Sequence, residues 1–170
     1  MEIGVIASIS GRYYAMDRDK NLDRTYKAYK NMVDLEGFSF NDPLEYVENE
    51  YNELLKIGFD NSDEFIRPGF NKNLKEGISS NDGIIFINFR PDRAIQMSTL
   101  MTNPFFYKEK LIPETILENI NFTCMMKYAD SVKGNIAFKL DDLENTLGEY
   151  LAKNNHSQLR IAETEKYAHV

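Results

Sequence analysis

The sequence is poor in the residues that hold metals and form disulfides. It contains one cysteine, Cys124, and two histidines, His156 and His169. A single cysteine cannot form an internal disulfide, and its apolar neighbours predict a small buried thiol rather than a nucleophile. The two histidines lie far apart and lack a partner at ligand spacing. We therefore expect no metal ion bound to this chain.

Positive charge is also scarce, because 20 Lys and Arg residues oppose 27 Asp and Glu, for a formal net charge of −7. Proteins that bind nucleic acid or anionic membranes usually need a broad basic face, so any basic site here must be local. No stretch approaches the roughly 20 apolar residues that span a bilayer, and the N-terminus lacks the pattern of a secretory signal. We expect a soluble cytoplasmic protein that binds neither nucleic acid nor membranes.

Two signatures of nucleotide-binding loops, GxGxxG and GxxxxGKS/T, are absent, and no serine lies in a recognisable nucleophile context. What the sequence does contain is 170 residues, of which 42% are hydrophobic. That content is enough to bury one ordinary core and argues against wholesale disorder.

The most informative stretch is an apolar run from Ile84 to Phe89 that ends in a polar turn carrying Arg90 and Arg93. A helical pattern follows, so the order predicts a buried strand, a loop and a helix. Ligands of open α/β sheets collect beyond the carboxyl ends of strands, where the next helix offers N–H groups to anions. Two guanidiniums there predict an anion site. A surface turn whose arginines pair with Asp92 fits the sequence equally well.

A second stretch near the N-terminus has the same order, since a short apolar run ends at Gly11 and a polar turn follows. This turn holds Arg12 and Arg18, whose planar forks suit phosphate or carboxylate oxygens better than lysine does. A charged loop in which Asp17 and Asp19 neutralise their neighbours is the simpler interpretation. Taken together, the two arginine pairs predict a site for a small phosphorylated or carboxylated ligand.

The remaining patterns alternate between helix and strand. Apolar residues at helical spacing occupy residues 22–35, 43–57 and 143–151, and strand-like runs occupy residues 122–126, 135–139 and 156–163. Residues 65–70 contain Pro68 and Gly69 and predict at best an edge or irregular strand. The predicted fold class is α/β, a layered open sheet with flanking helices that is incomplete.

Four motifs resemble one enzyme family and occur in its order. They are residues 10–19 (SGRYYAMDRD), 88–94 (NFRPDRA), 145–149 (NTLGE) and 162–167 (AETEKY). Together they resemble the cofactor-independent phosphoglycerate mutases. The resemblance extends over nearly the whole chain, although the chain corresponds to only a middle portion of the family's length.

The resemblance implies a two-domain enzyme of the alkaline-phosphatase superfamily, with a phosphoglycerate-binding domain inserted into a metal-dependent one. It implies that Arg12, Arg18, Arg90 and Arg93 of the inserted domain, together with Lys166 of the returning domain, bind 3-phosphoglycerate and 2-phosphoglycerate. Members of the family interconvert these compounds, a glycolytic isomerisation, through a phosphoserine and two manganese ions. Residues 1–138 would be the later part of the inserted domain, and residues 139–170 the linker and the start of the returning domain.

The family's nucleophilic serine and metal ligands correspond to segments outside this sequence. The resemblance therefore implies a fragment without catalytic residues, inactive alone and binding no manganese itself. We expect exposed strand edges to promote self-association, and Lys166 to be the basic residue least able to reach the arginines.

Two other functions remain open. The chain could be a stand-alone phosphate-ester binding module without catalysis, or an interaction fragment of an acidic protein whose arginines form only ion pairs. A role in nucleic-acid binding is the weakest, since tyrosine and arginine cluster only near Arg12.

Overall fold

The computed structural model describes residues 4–60, 62–139 and 143–163. The chain divides into two compact units, Met1–Lys139 and Leu140–Val170. In the first unit the elements are, in chain order, β1 (Ser8–Ile9), α1 (Arg12–Ala15), α2 (Leu22–Val33), β2 (Phe38–Phe40), α3 (Pro43–Lys56), a 3₁₀ turn (Asp63–Phe65), β3 (Gly69–Asn71), β4 (Gly83–Phe86), α4 (Ile95–Thr102), a second 3₁₀ turn (Pro104–Tyr107), β5 (Asn121–Cys124) and β6 (Asn135–Ile136). The described part of the second unit contains α5 (Leu147–Lys153).

The strands form two small sheets rather than one open sheet. One has the order β1-β3-β2, in which β3 runs antiparallel to β1 and parallel to β2. The other has the order β4-β5-β6, and its strands are parallel. The α/β class with flanking helices is confirmed, with the strands divided between these two sheets.

The main core lies between α2, α4 and β5. Tyr29 of α2, Met97 and Leu100 of α4 and Phe122 of β5 are all at most 1% exposed. The Tyr29 hydroxyl donates to the Thr115 carbonyl oxygen at 2.8 Å, so even this polar group is satisfied inside the core. Helix α4 is buried over most of its surface and directly follows the turn that carries Arg90 and Arg93, which connects that turn to the most buried part of the unit.

The predicted helices over residues 22–35 and 43–57 are confirmed as α2 and α3. The start of α3 follows the local signal, since the Asp42 side chain accepts from the backbone N of Leu44 and Glu45 and Pro43 occupies the first turn. None of the described helices is long and apolar enough to cross a membrane.

The prediction that residues 65–70 form at most an edge strand is wrong, because β3 is the central strand of its sheet. Gly69 allows this position, since a Cβ atom there would lie 2.5 Å from the Tyr46 ring. The Tyr46 hydroxyl donates to the Arg67 carbonyl oxygen at 2.9 Å. Tertiary packing thus turns a residue that usually weakens strands into a requirement.

The prediction of a fully buried strand over residues 84–89 is also wrong. Strand β4 ends at Phe86, and Ile85, Ile87 and Phe89 are 72%, 70% and 83% exposed. The strand lies at the edge of its sheet and pairs only with β5 among the described residues. Alternate side chains point to opposite faces of a sheet, and one face of this strand carries apolar side chains that the described residues leave uncovered.

Three other strand predictions need correction. The apolar run before Gly11 forms only the two-residue strand β1, and Val5 and Ile6 are exposed. Residues 135–139 form the two-residue strand β6. Residues 156–163 form no strand, and Leu159 and Ile161 are exposed.

The predicted helix over residues 143–151 is confirmed as α5, although it begins later, at Leu147. Thr146 and Glu149 form a capping box there, which sets the start of the helix.

Candidate anion-binding site

The first turn, residues 10–20, begins where β1 ends. The Gly11 backbone N donates to the Ile66 carbonyl oxygen at 2.8 Å. A Cβ atom at this position would clash with the backbone carbonyl of Glu64, so only glycine allows so close an approach. Helix α1 follows directly, and Arg12 is its first residue.

Arg12 is exposed and contacts a carboxylate outside the second turn. Its Nη2 lies 2.6 Å from Oε2 of Glu64, and 53% of the arginine side chain is accessible. None of the hydrogen bonds and ion pairs described for Arg12 reaches the second turn. Among the described residues, no hydrogen bond or ion pair therefore joins Arg12 to Arg90 or Arg93.

The second turn, residues 87–94, joins β4 to α4. The Tyr128 hydroxyl fixes its start by donating to the Phe86 carbonyl oxygen at 3.0 Å and contacting that of Asn88. At its end, the backbone N of Ala94 donates to the Pro91 carbonyl oxygen at 2.9 Å. The segment that carries the two arginines is therefore held at both ends.

The two turns meet at Asp92. Arg18 Nη1 lies 3.1 Å from Asp92 Oδ2, and Arg90 donates to the same carboxylate from Nε at 2.7 Å and from Nη2 at 3.0 Å. Burial alone would raise the pKa of Asp92, but the hydrogen bonds from Arg90 and Arg18 lower it below its ordinary value. Asp92 therefore remains ionised and holds arginines from two distant parts of the chain together.

Arg93 makes a second connection between the turns, since its Nη1 donates to the Met16 carbonyl oxygen at 3.0 Å. We call Arg18, Arg90 and Arg93 the arginine cluster. Two of its guanidiniums, those of Arg18 and Arg90, share the carboxylate of Asp92, and that of Arg93 binds a main-chain carbonyl oxygen. Guanidiniums can bind the oxygens of an anionic ligand through paired hydrogen bonds.

A cavity of about 640 Å³ adjoins this cluster and is lined by Arg18 and Asp92. Its lining also includes Lys20, Lys108, Lys110 and Glu109, as well as apolar side chains such as Leu22, Ile95 and Phe106. The volume is within the usual range for sites that take a small molecule. There is thus room for a small anion beside the cluster.

Sequence reasoning did not assign a role in the site to Asp17 or Gln96. Asp17 is 4% exposed, and the Gln96 side-chain amide donates to its carboxylate at 2.7 Å. Read locally, Asp17 was expected to neutralise its neighbours, which it does in part through Arg24 at 3.5 Å. The only local signal for more was an aspartate in a polar turn, since such a side chain often accepts from the backbone two residues on, as Asp17 does from Asp19 N at 3.1 Å.

Two expectations concern groups outside the cluster. Lys166 lies outside the described residues. Cys124 is buried, and burial raises the pKa of its thiol, which is unlike an activated nucleophile. Within residues 4–60, 62–139 and 143–163, no three His, Cys, Asp or Glu side chains are grouped so that they could hold a metal ion.

A family model described as BPG-independent PGAM N-terminus (iPGM_N) matches residues 1–130. The chain belongs to this family of phosphoglycerate mutases. The resemblance based on the four motifs is therefore confirmed.

Curated relatives in the family are close in sequence but much longer. The chain is 47% identical over 167 residues to the 2,3-bisphosphoglycerate-independent phosphoglycerate mutase of Mycoplasma genitalium, covering 98% of the chain and 32% of the relative. It is also 47% identical over 179 residues to the enzyme of the same name from Mycoplasma capricolum, covering 99% of the chain and 32% of the relative. The chain thus spans about a third of the length of the curated relatives it matches.

The fold is that of a solved member of the family. A structure of Leishmania mexicana phosphoglycerate mutase determined at low cobalt concentration aligns with a TM-score of 0.70 and 22% identity. The alignment covers 98% of this chain and 30% of that one. At this identity the likeness establishes the fold alone.

Proposed function

We propose that this chain is the substrate-binding portion of a 2,3-bisphosphoglycerate-independent phosphoglycerate mutase. The parent enzyme would interconvert 3-phosphoglycerate and 2-phosphoglycerate through a phosphoserine, a glycolytic isomerisation. In this proposal residues 1–138 are the later part of the inserted domain, and residues 139–170 lead into the metal-binding domain. The parent would act in the cytoplasm.

One observation carries the proposal: Arg18 from the first turn and Arg90 and Arg93 from the second meet at Asp92 and Met16. Phosphoglycerate carries a phosphate and a carboxylate on a three-carbon frame, so it needs several cations held at fixed separations. Two turns linked by a shared carboxylate supply that arrangement. The adjoining cavity accommodates a molecule of this size.

The residues present indicate which part of the parent's reaction this chain would perform. The described residues offer no group of donors suited to a metal ion, so they do not fit the two manganese ions that the family resemblance implies. In the parent the metal ions would stabilise charge on the transferred phosphoryl group. The part of that task assigned to this chain is to neutralise and orient the substrate.

Arg12 and Lys166 are assigned a place in the same site. Arg12 is exposed on α1 and paired with Glu64, so a ligand would have to compete with that carboxylate. Exposed ion pairs contribute little, about 0–1 kcal/mol, and exchange readily. Recruitment of Arg12 by substrate is therefore energetically easy.

A second function, in which the arginines only form ion pairs, is also favoured by a specific observation. Arg12, Arg18 and Arg90 each already face a carboxylate, as expected if the arginines served only to form ion pairs. A stand-alone phosphate-ester binding module would instead bind the ligand without any catalysis. The experiments below separate these possibilities.

Calorimetric titration of 3-phosphoglycerate into the purified chain tests the binding role. We expect saturable binding that Arg18→Lys weakens about tenfold, because lysine cannot replace the planar fork. Arg67→Lys is the matched control, since Arg67 pairs with Glu50 of α3 and both residues lie outside the two arginine turns. Affinity for 3-phosphoglycerate no greater than for sulfate would favour the ion-pair function and contradict the proposal.

A coupled turnover assay with manganese separates the parent's role from that of the chain. We expect no mutase or phosphatase activity, because the proposal places the nucleophile and the metal ligands elsewhere in the parent. Measurable turnover by the purified chain would overturn this assignment. Binding without turnover, together with turnover in an assembled full-length relative that Arg18→Lys impairs, would distinguish a mutase portion from a stand-alone module.

A further inference from the structure

Asp17 has a buried carboxylate that has no role in the proposed binding of substrate. Its oxygens accept from the backbone N of Asp19 at 3.1 Å and of Asn21 at 2.9 Å, from Asn21 Nδ2 at 3.0 Å and from Gln96 Nε2 at 2.7 Å. An ionised carboxylate only accepts hydrogen bonds, and with Arg24 Nη1 at 3.5 Å five donors converge on this one. The site is thus built for an aspartate and for its charged form.

The charged form is favoured despite the burial. Desolvation would raise the pKa of Asp17, but the hydrogen bonds from Gln96 and Asn21 outweigh it and lower the pKa below its ordinary value. The carboxylate is 4% exposed and therefore poorly placed to bind a ligand itself. Its influence on the site must act through the residues around it.

Those residues lie on the first turn and its continuation to α2, and on α4, which follows the second turn. The Gln96 amide reaches the carboxylate of Asp17 and also its main-chain carbonyl, across 79 positions of sequence. Asp17 is the immediate neighbour of Arg18, and Gln96 lies three residues after Arg93. On the other side of Asp17, the Met16 carbonyl oxygen accepts from Arg93. The loop that carries Arg18 is therefore bonded both to Arg93 and to the first turn of α4.

We infer that Asp17 is a positioning residue for the arginine cluster, because its carboxylate fixes the loop bearing Arg18 against the helix that follows Arg93. This inference rests on the proposed function for its consequence, which is that substrate meets three guanidiniums at fixed separations. Preformed geometry of this kind lowers the cost of ordering the site when the ligand binds.

A purely local role would be to organise the start of α2. Asn21 is the residue before that helix and makes no side-chain cap, while Asp17 takes its backbone N–H. That role would end at Asn21. It does not account for the contacts with Gln96, which reach the start of α4 and are buried.

The test compares three variants of the full chain. Asp17→Asn keeps the shape but turns an amide NH₂ toward a set of donors, and Gln96→Leu keeps the carboxylate but removes the link to α4. Asp82→Asn is the matched control, since the exposed carboxylate of Asp82 accepts from Ser79 N at 2.8 Å in the turn before β4. Each variant is followed by 3-phosphoglycerate titration and by NMR of the arginine side chains.

The NMR readout reports geometry directly. Restricted rotation of a bound guanidinium gives separate Nη signals, which we expect for Arg18 and Arg93 in the unaltered chain. Asp17→Asn and Gln96→Leu should merge these signals and weaken 3-phosphoglycerate binding about tenfold or more, while Asp82→Asn leaves both unchanged. Thermal unfolding shows whether each variant is folded at the temperature used.

The outcomes separate the two proposals. Undiminished binding and unchanged arginine signals in folded Asp17→Asn would overturn the positioning role while leaving the proposed function intact. If the unaltered chain does not bind 3-phosphoglycerate, the binding function fails, and the arginine signals alone decide whether Asp17 positions the cluster. If Asp17→Asn does not fold, Gln96→Leu decides. Failure of both to fold would overturn the inference, since Asp17 and Gln96 would then be general stability elements.

Discussion

Helix α4 and strand β4 flank the same turn and have opposite surroundings. Six of the eight residues of α4 are buried, from Gln96 to Met101. In β4 and the residues after it, Ile85, Ile87 and Phe89 are at least 70% exposed. The second turn thus joins an anchored element to an uncovered one.

This difference teaches that the arginines at the two ends of the turn are not equivalent. Arg93 lies next to α4 and is half-buried, with its guanidinium on a main-chain carbonyl oxygen of the first turn. Arg90 lies toward β4, is 53% exposed and contacts an aspartate two residues away. We expect Arg93 to be held by the core, and Arg90 to depend on Asp92 and on any ligand.

The largest expected effect comes from the anchored side. Leu100→Ala removes a side chain that is 0% exposed, and we expect it to lower the free energy of unfolding by about 2–5 kcal/mol. Ile85→Ala on β4 should cost less than about 1 kcal/mol, because its side chain is 72% exposed. Urea unfolding measures both. Equal losses would mean that β4 is covered in solution.

The next effect is a pH dependence on the α4 side. The pKa of Asp17 is lowered in the folded state, so the folded chain binds fewer protons there than the unfolded chain does. Its contribution is present above the ordinary value of 3.8 and lost as pH falls through the lower folded value.

We therefore expect Asp17→Asn to lower the free energy of unfolding by about 1–3 kcal/mol at pH 7. That difference should hold down to about pH 4 and shrink in stronger acid. Urea titrations at pH 7, 5 and 3 measure it. Asp82→Asn, in the exposed turn before β4, should change stability by less than about 0.5 kcal/mol throughout. A difference for Asp17→Asn that grew with acidity would reverse the sign and refute the argument.

The contrast between α4 and β4 also marks what sequence could predict. The bounds of α2 and α3 were close because their signals are local, as with the Asp42 cap before α3. The burial of β4 could not be predicted from a local signal in this way. An apolar run predicts a strand, but whether both its faces are covered depends on what packs there.

Two other features could be recognised only in the folded structure. The sequence predicted only an edge or irregular strand at β3 because glycine weakens strands in general. In the structure, Gly69 leaves room for the Tyr46 ring. The contact between Asp17 and Gln96 spans 79 positions and has no motif of its own. Arginines after two strand ends did predict a common location, and three of the four meet. Their role in binding substrate stays a prediction.

A smaller expected effect concerns association. The uncovered apolar face and open edge of β4 favour contacts between chains, as expected from the sequence. Replacing Ile85 or Ile87 by lysine should lower the apparent mass in light scattering at high concentration without loss of folded structure. The matched control is Lys56→Met on α3, far along the chain from β4. A monomer at all concentrations for the unaltered chain would contradict this expectation.

The smallest effect should separate the two arginines of the turn. Arg90→Lys exchanges an exposed ion pair for a similar one, so we expect a change in the free energy of unfolding of less than about 0.5 kcal/mol. Arg93→Lys loses a half-buried contact with the Met16 carbonyl oxygen and should cost about 0.5–1.5 kcal/mol. Both variants remove a planar fork, so both should weaken 3-phosphoglycerate binding if the proposed function holds. Stability would then separate the two variants more than binding does, because Arg93 also holds the first turn, whereas the proposed function gives Arg90 mainly a binding role. Equal stability losses would show that Arg90 contributes as much to the folded state as Arg93 does, and the contrast between α4 and β4 would then not extend to their arginines.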